Sequence, residues 1–300
     1  MQRPTIRSSK AVLIAGAVAT IVWVSAGSLA PPAGSINATM KDLDDVEPRA
    51  AIRNDFDTPA PIVISESGSY YLAEDIRGFG GAAGIQITAP NVTLDLNGST
   101  IYGNLEVLSL DGVRLEPAAD GAAVRNGRIQ DFGGNGIGTD ASGAEETTVE
   151  NVVVSNNGLG GNGFGVWLTI RARVRNCKAL ENVRGGIRVG RTSMVSGCLA
   201  VQNGSTGIFA DDSSVIADCN AYQNDGGGIS TITGAIVRNS SAALNGEEGI
   251  SVFAGTVTGC NARENTEEGI LAPGSLIHGC TSTGNTGVNF SGGTLVDNHP

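Results

Sequence analysis

The chain has 300 residues, 44 of them glycine, with aromatic residues at 4% and a formal charge of −11. So few large apolar side chains argue against a compact globule with a Leu/Phe core. The acidic balance argues against nucleic acid as a partner, because phosphates need Lys and Arg.

The first predicted element is an export signal over residues 1–30. Arg3, Arg7 and Lys10 give a positive start, Ala11 to Val24 is an uncharged apolar run, and small residues follow through Ala30. Cleavage after Ala26 satisfies the small-residue rule. An uncleaved anchor is the other reading, since residues 11–30 are just long enough to cross a bilayer. Either way the body lies outside the cytoplasm, secreted or in the cell envelope, with no membrane contact beyond such an anchor. Removing residues 1–30 takes the formal charge from −11 to −14. That permits calcium or a cationic partner, but a solvated acidic surface is the plainer reading.

Residues 31–60 read as a leader with little apolar pattern, holding at most a helical turn over Asp42 to Val46. A repetitive body is expected over residues 61–298, with residues 50–80 covering its N-terminal end. From Asn91 to Gly98, Val92, Leu94 and Leu96 alternate with Thr93, Asp95 and Asn97, the pattern of a half-buried strand ending in a turn. Gly-apolar pairs then recur irregularly at Gly84-Ile85, Gly112-Val113, Gly136-Ile137 and Gly165-Val166.

From there the period steadies near 21 residues. Cys177, Cys198, Cys219, Cys260 and Cys280 share one phase, with Ser240 in the vacant slot. A Val/Ile column precedes them (Val174, Val195, Ile216, Val237, Val257, Ile277), and an Ala column follows (Ala179, Ala200, Ala221, Ala242, Ala262, then Ser282). An Asn column comes next (Asn182, Asn203, Asn224, Asn245, Asn265, Asn285). Gly-Ile pairs close each unit, with Gly287-Val288 as the last of the series. A fixed period means one unit stacked on copies of itself. Leucine-rich repeats are disfavoured, since Leu is scarce at the repeating positions and no unit has helical periodicity. Three short strands per turn fit better, giving an all-β, parallel β-helix solenoid of about ten coils between Ile85 and Phe290. In-register stacking then makes each column a ladder, and the Asn amides can chain from coil to coil.

The units "V-x-N-C-x-A-x-x-N-x-x-x-G-I", as in Val174 to Ile187, resemble the repeats of right-handed parallel β-helix proteins of the pectate-lyase-like superfamily. The segments Met40 to Arg49, Ile64 to Leu72 and Asn91 to Gly98 resemble the opening of a group of exported bacterial β-helix repeat proteins. The resemblance implies the fold. It also implies a choice between non-catalytic surface proteins and polysaccharide lyases, hydrolases or epimerases, whose catalytic patterns of clustered Asp with Arg, Lys or His are not found here.

Two histidines are present, His278 in a repeat turn and His299 near the end, and neither has the neighbours of a catalytic His. The adjacent Asp211-Asp212 could share acid/base work or hold calcium, but a solvated turn is the plainer reading. If the residue after each repeat Ile faces outward, Trp167, Arg188 and Phe209 stack across three coils, with Arg191, Asp211 and Asp212 nearby. An aromatic flanked by Arg and Asp suits a sugar, whose faces stack on rings and whose acidic groups pair with charges. The alternative is a decorated strand face whose Arg and Asp pair across coils. Arg171, Arg173, Arg175 and Arg184 add a local basic cluster.

The cysteines allow at most two adjacent-coil disulfides. In-register side chains point in parallel, so a ladder of reduced, buried thiols is preferred. No metal-ligand set appears and no cofactor is implied. The expected function is an exported β-helix protein forming a structural or carbohydrate-contacting surface of the cell envelope. The alternative is a lyase, hydrolase or epimerase acting on an acidic glycan. The oligomeric state is not encoded in any motif.

Overall fold

The computed structural model describes residues 49–54, 61–78, 81–104, 110–139, 143–161 and 163–300. The export signal and the turn at Asp42 to Val46 lie outside the described residues. All regular structure among them is β, in short parallel strands. Each regular coil contributes three, such as Val166–Leu168, Arg173–Arg175 and Lys178–Leu180. Each strand pairs with its equivalent in the next coil, so the coils build three ladders.

The first ladder has eleven strands. Ten lie between Ile85 and Phe290, as the period requires. The eleventh is Ile62–Ile64, paired with Ile85–Ile87. Ile62–Ile64, Gly68–Leu72 and Ile76–Arg77 thus form a further set of three ladder strands within the segment expected to cover the N-terminal end, and Ala50–Ile52 pairs ahead of them with Tyr70 through Leu72. One column is also corrected. The last partner of Ile270 is Phe290, and Val288 is 57% exposed. Asn289 takes the place of Gly there, its carbonyl accepting the Ile270 N–H at 2.9 Å.

Corners are made by single residues in the left-handed region, such as Arg171 (φ 57°), Asn176 (φ 52°) and Glu181 (φ 54°). Such residues cost about 1 kcal/mol each outside glycine. The backbone ladder holds them: the three N–H groups donate to Arg191 O, Ser196 O and Val201 O, each at 3.0 Å.

Inside each corner a polar column satisfies the turn. The Asn203 Oδ1 accepts from the backbone N (3.1 Å) and Nδ2 (2.9 Å) of Asn182. Its own Nδ2 donates to Ala179 O and Asn224 Oδ1. The chain of amides begins at Asn157 and ends where Asn285 Nδ2 donates to Asn289 Oδ1 at 3.0 Å. The cysteine column works in the same way. Cys198 Sγ accepts the Cys177 N–H (3.5 Å), Ser240 Oγ accepts that of Cys219 (3.2 Å), and Asn298 Oδ1 accepts that of Cys280 (2.8 Å). Ser240 therefore fills its slot. All five thiols are buried and free. Hydrogen bonding to Cys198, with burial, pushes Cys177 and Cys219 well above the usual thiol range.

The Val/Ile, Gly-Ile and Ala columns fill the interior; Val174, Val195, Ile208 and Ile229 are fully buried. Glycine before each Ile is a steric need: a Cβ on Gly186 would lie 2.5 Å from Gly207 O. This interior leaves only alternate residues of each strand free to face outward.

Candidate functional site

Strands Val166–Leu168, Ile187–Val189 and Ile208–Ala210 bury their first and third residues and turn the second outward. Register pairs Trp167 with Arg188 and Arg188 with Phe209, so the expected column exists. The Arg188 guanidinium carbon lies 4.9 Å from the Phe209 ring centroid and 5.9 Å from that of Trp167. It also lies 5.8 Å from Phe164, whose ring is tilted 53° to Trp167. Arg184 stacks on Phe164 at 5.0 Å. Contacts of this kind are worth about 0.5–2 kcal/mol each, the more so where water is excluded.

Beside this stack lies a groove of about 260 Å³ lined by Trp167, Leu168, Thr169, Ile170, Arg188, Gly190, Arg191 and Asp211. Glycine is required at 190 by the close approach of the neighbouring coil, because a Cβ there would meet the Thr169 carbonyl carbon at 2.8 Å. The Asp211 N–H donates to Val189 O at 3.1 Å, which fixes the backbone at the groove wall. Among the described residues, no ion pair joins Asp211 to Arg188 or Arg191. Cross-coil pairing of these charges, the alternative reading of this face, does not occur.

Of the six residues singled out in the sequence, Trp167, Arg188, Arg191 and Asp211 share one groove. Phe209 stands beyond it, stacked on Arg188. Asp212 turns away: its Oδ1 accepts the Thr233 N–H at 2.9 Å, a turn-capping role. Two members of the expected basic cluster are neutralised, Arg171 by Glu145 and Glu146 and Arg175 by Glu150. His278 belongs to the strand Leu276–His278 rather than to a turn, with Nε2 3.7 Å from Asp297.

Three polar groups escaped the sequence reading. Asp95 is buried, 3.2 Å from Arg125 and 3.5 Å from Arg49. Asp111 is buried and accepts from the Asn135 N–H (2.7 Å) and Nδ2 (2.9 Å). Glu248, Glu267 and Glu268 bring carboxylate oxygens within 4.8 Å of one another. Repulsion from Glu248, with smaller contributions from burial, Glu247 and Glu268, raises Glu267 above the usual carboxylate range. The doublets Glu247-Glu248 and Glu267-Glu268, twenty residues apart, were the available signal.

Residues 83–235, just over half of the chain, match the family described as right handed beta helix region. No curated protein matches the chain. Among solved structures it is similar to the Dettilon tailspike protein gp208 at 14% identity and a TM-score of 0.57, over 79% of this chain and 60% of that one. It is similar to the A-module of the Azotobacter vinelandii mannuronan C-5 epimerase AlgE6 at 14% identity and 0.57, over 80% and 84%. The periplasmic alginate epimerase AlgG matches at 12% identity and 0.52, over 80% and 76%. Identities this low carry the fold alone.

Proposed function

We propose that this chain, which belongs to the right-handed β-helix family, is an exported, glycan-contacting protein of the cell envelope or its surroundings. Its working surface is the groove at Trp167, Arg188, Arg191 and Asp211. The observation that carries this reading is the Arg188 guanidinium stacked between Phe209 and Trp167 at the edge of that groove. The rings hold the guanidinium by its π-system, while its N–H groups make no hydrogen bond or ion pair of their own among the described residues and suit a planar acceptor such as a sugar carboxylate. The Trp167 ring offers a face to a pyranose, and Asp211 is an acceptor for hydroxyl groups. Two of the similar structures are named for mannuronan and alginate, which agrees with an acidic glycan as the ligand class. The test is a glycan array on the full chain, compared with Trp167→Ala. Loss of uronate-glycan binding in the variant supports the reading, and wild-type protein that retains no glycan sinks it.

A second reading is a lyase, hydrolase or epimerase at the same groove. It is favoured by one observation, that Arg188 and Asp211 line one groove without pairing to each other. Turnover of an acidic polysaccharide that disappears in Asp211→Asn but leaves binding in place supports catalysis. Binding without turnover across such a panel removes it.

A further inference from the structure

The rim of the groove is a column of its own. In each coil, the residue before the left-handed corner accepts a backbone N–H from the coil before it: Arg191 O from Arg171, Asp212 O from Thr192, Thr233 O from Ser213, and Phe253 O from Gly234. Phe253 therefore stands on the rim column of Arg191 and Asp212. Simple counting hides this, because the coil beginning at Ile250 is one residue shorter at this edge. The difference is absorbed by a register shift between Ser230 and Thr233. Bulges of this kind re-aim side chains. Here the shift leaves Ile232 as an extra exposed residue and carries Phe253 onto the rim.

Phe253 is 44% exposed, more than any other aromatic among the described residues. Between it and the groove the outward column continues from Phe209 to Ser230 and Ser251. Ser230 is half-buried and Ser251 buried, so two small hydroxyl residues replace the bulky stack and keep the surface low. The four coil steps from Trp167 to Phe253 correspond to about 19 Å at the usual strand spacing.

We propose that Phe253 is a second stacking platform for the glycan held at Trp167, so that the face takes an oligosaccharide laid along the coil axis rather than a single sugar. This rests on the glycan reading of the groove and adds the length and direction of the ligand. One end stacks on Trp167 beside Arg188, the middle passes Ser230 and the exposed Ile232, and the far end stacks on Phe253. A disaccharide reaches one platform; only a longer chain reaches both.

The test uses calorimetric titration of the full chain with the disaccharide and the hexasaccharide of galacturonic acid and of mannuronic acid. Wild type is expected to bind a hexasaccharide about tenfold more tightly than the disaccharide, the increment of one stacking contact. Phe253→Ala removes that increment and leaves disaccharide binding unchanged. Phe253→Tyr, which keeps a ring, restores it and so separates ring loss from misfolding. A folded Phe253→Ala that holds the hexasaccharide as tightly as wild type overturns the proposal while the groove stands. If wild type binds none of the four probes, or if Trp167→Ala leaves all affinities unchanged, the groove reading fails and this one with it.

Discussion

The Arg188 guanidinium sits 4.9 Å over the ring of Phe209, one coil further along the same outward column. Phe209 does not line the groove, so its part is to hold Arg188 in place. A long arginine side chain otherwise loses considerable rotamer freedom when it binds.

Phe209→Ala is therefore expected to weaken uronate-glycan binding about three- to tenfold while leaving the melting temperature nearly unchanged. Arg188→Lys loses more, because an ammonium offers neither a stacking plane nor a two-pronged edge. Titration calorimetry with uronate oligomers checks both. A Phe209→Ala variant with wild-type affinity removes the positioning role.

Asn203 makes four hydrogen bonds through one side chain, two accepted and two donated. Asn203→Ala strips these from a fully buried corner. The expected cost is about 2–4 kcal/mol, since orphaned buried groups lose their desolvation energy. Urea unfolding followed by circular dichroism measures it. An exposed control at the same corner, Gln202→Ala, is expected to change little.

The five thiols are buried and unpaired. Folded protein is expected to give no reaction with a thiol reagent, and denatured protein to give five equivalents; three equivalents would mean one disulfide. Cys198→Ser keeps an acceptor for the Cys177 N–H, as Ser240 does for Cys219. Cys198→Ala leaves that donor unpaired and is expected to cost about 1–3 kcal/mol more than the serine variant.

Asp95 sets an acid limit. Burial works to raise its pKa, but the Asn97 N–H, the Asn126 amide and Arg125 outweigh it and hold the carboxyl below its ordinary 3.8. A depressed carboxylate contributes stability that is full above the unfolded-state value and is lost as pH falls through the folded-state value. Melting temperature is therefore expected to fall below about pH 3.8, and Asp95→Asn to flatten that fall. An identical acid profile in the variant would assign the transition to other carboxylates.

Much of the fold was legible because a stacked coil writes its columns into the period. Cys177, Asn182 and Gly186-Ile187 recur at a fixed spacing, and alternation within each strand marks inward and outward residues. The same logic put Trp167, Arg188 and Phe209 on one outward column. The series failed in two places. Val288 stood in for Phe290 because Gly287-Val288 copies the Gly-Ile pair two residues early, although Phe290 keeps the twenty-residue step from Ile270. Phe253 went unnoticed because its coil is one residue shorter between Ile250 and the corner.

The sequence by itself determined the coil, its inward ladders and the outward order of side chains, since these follow from in-register repetition. Tertiary structure alone decided which outward groups meet. It brought Arg188 and Asp211 into one groove without joining them, turned Asp212 to the next coil, and carried Phe253 onto the rim column of Arg191 and Asp212, next to Thr233. The reason is physical: periodicity fixes the face on which a residue emerges, whereas corner geometry and side-chain direction fix what it touches.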